Sequence, residues 1–307
     1  MSDIPLSAMP WLASPLAQLA RLASEQHLAH AILLTGAPGT GKQLLSQALA
    51  ALLLCKNRQA DMACGQCKSC LLLAAGNHPD LLTLNQENNS IGVDEIRRLI
   101  DFTQGAAQQH GNKVIVLSEV QRLTEAAANA LLKTLEEPPQ GCYLVLQTSQ
   151  PQRLKATLLS RCQRWSLPTL NEANLFDWLS QQYQGSLPRF LFAFSGGAPL
   201  QALALLQGNT AAEIEELLAA LSLLLQDESG LSTLVKNLEG RTDCAQILGY
   251  FLTQWCNQHS DVAPEALQRL QLVYYRWRRD EQQILGQNKT LALTALLLEF
   301  KSIMRRR

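Results

Sequence analysis

The chain has 307 residues, 47% hydrophobic and 17% charged, with 26 basic and 26 acidic side chains that cancel. That length suggests two or three domains, and the apolar content excludes a disordered or collagen-like chain. The zero net charge argues against a protein that binds nucleic acid unaided, which usually needs a basic footprint, and leaves open a subunit that meets nucleic acid inside a complex.

No run approaches the roughly 20 apolar residues of a membrane helix, and Met1-Ser2-Asp3-Ile4 lacks the cationic and apolar regions of a signal peptide. The expectation is a cytoplasmic protein with no membrane contact. Its eight cysteines are then expected as thiols or metal ligands rather than disulfides.

In chain order, Ala31–Leu34 reads as a short apolar strand running into a Gly-rich loop, followed by a Leu- and Ala-rich helix from Gln43 to Leu54. The stretch Gly36-Ala37-Pro38-Gly39-Thr40-Gly41-Lys42-Gln43 fits G-x-x-x-x-G-K-[ST] in all but its last position, in the strand–loop–helix context that the motif requires. Gly36, Gly39, Thr40, Gly41, Lys42 and Gln43 are therefore candidate nucleotide-binding residues. Glycines let backbone N–H groups converge on phosphate oxygens, the helix N-terminus adds its positive end, and Lys42 reaches the outer phosphates. Gln43 replaces the hydroxyl that normally holds Mg²⁺. Nucleotide ancestry is indicated; present-day binding and a ligand-free tight turn both stay open.

Cys55, Cys64, Cys67 and Cys70 follow as C-x8-C-x2-C-x2-C. Four soft thiolates at this spacing suit tetrahedral zinc, and four filled positions leave no room for catalytic water, so the expected role is structural. Lys56, Arg58 and Lys68 are expected to offset the charge, with His78 nearby but not needed as a ligand. Redox thiols, an iron–sulfur cluster and unliganded cysteines are the alternatives.

Leu81–Leu84 reads as a second strand, Val93–Phe102 as a helix with Asp94 and Glu95 in its first turn, and Val114–Leu117 as a buried strand. That strand ends in Ser118-Glu119, where a Mg²⁺-assisted ATPase places Asp-Glu. Ser118 stands at the metal position; Glu119 is either a water-polarising residue or a solvated carboxylate. Thr124 is expected to cap a helix that Pro138-Pro139 stops after Glu137, and Tyr143–Gln147 is a further strand. Strands without polar alternation, separated by helices, indicate a parallel sheet covered on both faces. Beyond Pro168 the pattern is helical only: Glu172–Tyr183, Pro188–Phe194, Pro199–Gln207 and Leu-rich stretches from Ala211 onward. The expected division is an α/β domain over 1–166 carrying the cysteine module at 55–70, a small helical domain over 167–208 and an all-helical domain over 209–307.

The phosphate loop, the cysteine module inserted after the first helix, the amphipathic stretch Leu123–Pro139 with its Leu131, Leu132 and Leu135 stripe, and Ser160-Arg161-Cys162 together resemble the bacterial clamp-loader branch of the AAA+ ATPases. The resemblance implies an AAA+ parallel-sheet nucleotide-binding domain with a zinc module, a small helical lid and a C-terminal helical collar for oligomerisation. It implies that Arg161 projects as an arginine finger toward ATP held by a neighbouring subunit, work suited to a permanently charged planar fork, while Ser160 and Cys162 position and pack. It puts Thr148 at one sensor position, and Leu200, in Gly197-Ala198-Pro199-Leu200-Gln201-Ala202-Leu203, where a second sensor would be arginine.

With Gln43, Ser118 and Leu200 all unsuited to hydrolysis, the chain looks like a stator-type subunit of the DNA polymerase III clamp loader, with no independent catalysis expected. The implied partners are the motor (gamma/tau) subunits and the delta subunit and, through the complex, the sliding clamp and primed DNA. The implied cofactor is structural Zn²⁺, with ATP or ADP open. An active ATP-hydrolysing motor subunit of the same family and a zinc-dependent DNA-binding module are the competing functions.

Overall fold

The computed structural model describes residues 5–59, 62–84, 90–224, 230–259, 262–283 and 288–305. The N-terminal tetrapeptide read above for signal character lies outside them. In chain order the elements are α1 (Pro10–Ser24), β1 (Ala31–Thr35), α2 (Lys42–Leu54), α3 (Lys68–Ala74), β2 (Leu81–Leu84), α4 (Val93–Gln104), β3 (Lys113–Leu117), α5 (Glu125–Glu136), β4 (Cys142–Thr148), α6 (Ala156–Leu159), β5 (Gln163–Ser166), α7 (Glu172–Gln182), α8 (Phe190–Ser195), α9 (Pro199–Gln207), α10 (Thr210–Leu224), α11 (Leu231–Glu239), α12 (Cys244–Gln258), α13 (Pro264–Gln283) and α14 (Lys289–Arg305). The chain falls into two compact units, 1–178 with 196–201, and 179–195 with 202–307.

In the first unit the described strands form one parallel sheet in the order β2-β3-β4-β1-β5. The apolar runs explain why: β1 and β3 are covered on both faces, the state in which parallel strands are stable. On one face Ala31, Leu33, Ile115, Leu117, Leu144 and Leu146 pack with Ile96 and Leu99 of α4 and Leu131 and Leu135 of α5. Period-2 alternation turns Ile32, Leu34, Val114, Val116 and Val145 to the other face, where α2 contributes fully buried Leu45, Leu49 and Leu52. Each such side chain contributes about 1.5–3 kcal/mol of burial. Thr124 caps α5 as expected, its Oγ1 accepting the Ala127 N–H at 3.3 Å, and α5 ends at Glu136 just before Pro138-Pro139.

The sequence reading missed four elements of this unit, the four-residue helix α6 among them. Strand β5, Gln163-Arg164-Trp165-Ser166, alternates half-buried and exposed at the sheet edge, so it shows no apolar run. Helix α1 opens with Pro10 at its first position, where the missing N–H costs nothing, but carries Pro15 inside. Helix α3 hides within the cysteine module, with Cys67 as its N-cap.

The second unit is helical. Its cores follow i, i+3, i+4 and i+7 spacing: Ile247, Leu248, Phe251, Leu252 and Trp255 on α12, and Leu293, Leu296, Leu297 and Phe300 on α14. Phe190, Phe194 and Tyr250 meet edge-on, and Arg241 holds both Asp243 and Glu213. Among the described residues no helix is long and apolar enough to cross a membrane.

Candidate functional site

Parallel sheets bind ligands beyond the C-terminal ends of their strands. Here the ends of β1, β3 and β4 carry the phosphate loop, Ser118-Glu119 and Thr148, with Thr35 and Thr148 in register. Gly39 and Gly41 adopt φ of +80° and +95°, left-handed values that favour glycine.

The Lys42 ammonium and several carbonyls of the loop are engaged locally. Lys42 is buried, and its Nζ donates to Gly36 O at 2.7 Å and Ala37 O at 3.0 Å. That burial pulls its pKa below the usual lysine range, with the Glu119 carboxylate opposing. Trp11 Nε1 donates to Thr40 O at 2.9 Å, and Thr40 Oγ1 donates to Ala37 O at 2.9 Å. Leu200 N donates to Gly39 O at 3.0 Å, and a Cβ at Gly39 would lie 2.6 Å from Gln201 Cβ.

The metal-handling positions are joined by neutral side chains. Gln43 Oε1 accepts from Ser118 Oγ at 3.3 Å and from Gln147 Nε2 at 2.9 Å, while Gln147 Nε2 also donates to Ser46 Oγ at 2.8 Å. Glu119, with φ +51°, accepts from Gln121 Nε2 and from Ser149 Oγ. Buried Thr148 donates its Oγ1 proton to Gln121 Oε1 at 2.6 Å and accepts the Gln150 N–H at 3.0 Å. At the two metal-handling positions Gln43 is an amide where a hydroxyl is usual and Ser118 a hydroxyl where a carboxylate is usual, so they fit a hydrated magnesium ion poorly; Glu119 is the carboxylate that remains beside them. Sequence reasoning placed Gln43, Ser118, Glu119 and Thr148 here but missed Trp11, Ser46, Gln121, Gln147 and Ser149. The one available signal was Gln147, a polar side chain in an otherwise apolar buried strand.

The four cysteines do converge. Cys55 caps the end of α2, Cys67 precedes α3 and Cys70 lies in its first turn. All four sulfurs lie within 4.8 Å of one another. Cys67–Cys70 is 3.5 Å, and Cys55–Cys67 and Cys64–Cys70 are 4.0 Å. A tetrahedral ion at a thiolate distance of about 2.3 Å sets sulfurs about 3.8 Å apart, so the cluster fits a metal ion. Backbone N–H groups support the thiolates: Cys64 N points at Cys55 Sγ and Cys67 N at Cys64 Sγ, each at 3.3 Å. Such bonds, from Lys56 and Cys70, hold the Cys67 pKa down to about 6, whereas burial pushes Cys70 up to about 12. The expected charge offset is only partly supported: Lys56 Nζ goes to His110 O and Arg58 to Leu53 O. His78 stays out of the cluster, its Nδ1 accepting the Asp80 N–H.

Arg161 lies just beyond α6, remote in sequence from both clusters. Its Nη1 donates to Thr157 O at 2.8 Å and to Ser160 Oγ at 3.4 Å, and its Nη2 pairs with Glu136, a residue sequence reasoning had not singled out. One third of the side chain is exposed. Cys162 packs against the α4/α5 face, and burial pushes its pKa up to about 11, consistent with packing rather than reactivity.

The family model described as "DNA polymerase III, delta subunit" matches residues 12–171. The delta-prime subunit of Yersinia pestis DNA polymerase III is 45% identical over 207 residues, 64% of this chain and 61% of that protein. The Escherichia coli K12 delta-prime subunit is 40% identical over 217 residues, 69% of this chain and 65% of that protein. The tau subunit of Bacillus subtilis is 33% identical over 181 residues, 56% of this chain and 32% of that protein. The chain thus spans less than two thirds of these relatives' own length. A crystal structure of a DNA polymerase III gamma subunit-related protein from Thermotoga maritima superposes with a TM-score of 0.55 at 21% identity, covering 94% of this chain and 99% of that one, which supports the AAA+-type fold.

Proposed function

We propose a function on the premise that this chain belongs to the delta-prime family of DNA polymerase III subunits, whose family model covers more than half of it. In this reading the chain is a non-hydrolysing stator of a cytoplasmic clamp loader. It supports ATP-driven loading of the sliding clamp onto primed DNA by presenting Arg161 to ATP held by a neighbouring motor (gamma/tau) subunit. The delta subunit is a further partner. The three-domain division at 166 and 208 gives the α/β domain the finger and gives the C-terminal helices the assembly contacts.

One observation carries the proposal. The two positions that would hold metal, Gln43 and Ser118, are tied into a neutral amide–hydroxyl network with Gln147 and Ser46, while Arg161 keeps a partly exposed guanidinium. A site so arranged is poor at its own hydrolysis yet can act on another subunit's phosphate through a planar, permanently charged donor fork. ATP or ADP would have to draw Lys42 away from the two loop carbonyls that it bonds. The ion we assign to Cys55, Cys64, Cys67 and Cys70 is Zn²⁺, which would cross-link α2 to α3 without taking part in chemistry.

The test is turnover. The isolated chain hydrolyses no ATP. In the assembled complex, with the other motor sites silenced, Arg161→Ala lowers hydrolysis at the facing site by about 10³-fold, the lower end of an arginine finger's effect. Hydrolysis by the isolated chain that Lys42→Ala abolishes, or full complex activity with Arg161→Ala, overturns the reading in favour of a motor subunit or of a different finger.

A further inference from the structure

Resting on the arginine-finger reading, we propose that Glu136 is a positioning residue that aims the Arg161 guanidinium at the neighbouring subunit's phosphate. Arg161 follows a four-residue helix, α6, and its local turn holds only one end of the guanidinium: Nη1 meets Thr157 O and Ser160 Oγ. Those contacts leave the plane of the fork free to swing. Glu136 takes Nη2, so the group is held at both ends and its plane is set.

The carboxylate is itself mounted on a firm base. Glu136 is the last residue of α5, directly after Leu135, which is 1% exposed in the sheet-facing core. A hydrogen bond of 2.9 Å between His30 Nε2 and Leu135 O ties that helix end to the start of β1. Constellations are held best when they sit on rigid elements locked by packing.

Two further points separate a functional pair from an incidental one. A carboxylate at a helix C-terminus faces the negative end of the helix dipole and is disfavoured there, so Glu136 is not explained by helix stability. An ion pair this exposed, 33% for Arg161 and 48% for Glu136, also contributes little to the stability of the fold. Exposure does leave the pair accessible to a neighbouring subunit. Among the described residues Arg161 Nε makes no hydrogen bond, so the guanidinium keeps a donor in reserve for an incoming phosphate oxygen.

The experiment measures ATP hydrolysis by the complete clamp loader, with the other motor sites silenced, carrying Glu136→Ala, Glu136→Gln, Arg161→Ala or Glu136→Ala with Arg161→Ala. Thermal unfolding confirms that each variant chain is folded. Glu136→Ala lowers kcat about fivefold, the factor an exposed ion pair supplies at its upper end, and leaves KM for ATP unchanged, because the lost interaction is made in the transition state. Glu136→Gln, which keeps an acceptor oxygen for Nη2, restores most of the rate. In the Arg161→Ala background Glu136→Ala has no further effect. An equal loss in that background, or full kcat for Glu136→Ala in a complex that Arg161→Ala cripples, overturns the positioning role and leaves the finger standing. Full kcat for Arg161→Ala removes the finger and the positioning role together.

Discussion

The phosphate loop and the cysteine module stand close in the chain and treat their motif residues in opposite ways. In the loop the signature holds in all but its last position, and the side chains of its last two residues bond locally: Lys42 to two loop carbonyls, Gln43 to Ser118 and Gln147. In the module the sulfurs meet one another at metal-binding separations, and the surrounding backbone N–H groups favour the thiolates that an ion would bind. A motif therefore reports chemistry only when its donor atoms are left for a ligand. Spacing can be read in a sequence; what the donor atoms are spent on cannot.

Three perturbations break or sharpen this contrast. The largest effect is expected at the cysteines. The purified chain carries about one zinc by elemental analysis, and Cys64→Ser with Cys67→Ser removes it. Binding at such a site is linked to roughly 10–16 kcal/mol of folding free energy, so amide exchange from the end of α2 through α3 rises to that of an open segment. Stable, protected, metal-free wild-type protein would contradict the module's assignment. A middling effect is expected in the amide network. Gln147→Ala leaves Gln43 and Ser46 short of a buried partner and costs about 1–3 kcal/mol in urea unfolding, with no change in clamp loading by the complex. The smallest effect is expected at Lys42. In a motor subunit its loss is fatal; here Lys42→Ala leaves the ATPase rate of the complex at the wild-type level and changes the free energy of unfolding by about 1 kcal/mol or less. A complex inactivated by Lys42→Ala would erase the contrast altogether.

Much of the first unit was legible because its signals are local. Apolar runs at Ala31–Leu34 and Val114–Leu117, and the Thr124 cap and Pro138-Pro139 stop at the two ends of α5, place three elements to within a residue or two. Strand β5 escaped because an edge strand has one exposed flank and Gln163-Arg164-Trp165-Ser166 carries no apolar run. The cysteine cluster was readable because its four ligands fall within sixteen positions. The Gln43–Gln147 bond and the Arg161–Glu136 pair were not, because their partners are brought together only by sheet and helix packing.

The hydrogen bond from Leu200 N to Gly39 O has a consequence for how this chain can drift. It is made by peptide groups, so it tolerates any side chain at 200 that fits a buried position. Gly39 enjoys no such freedom, because its left-handed backbone and the close approach of Gln201 bar a Cβ. Packing thus demands glycine at position 39 whether or not the loop holds a ligand, while position 200 is constrained only by its burial. The presence of this glycine therefore does not by itself report a bound nucleotide.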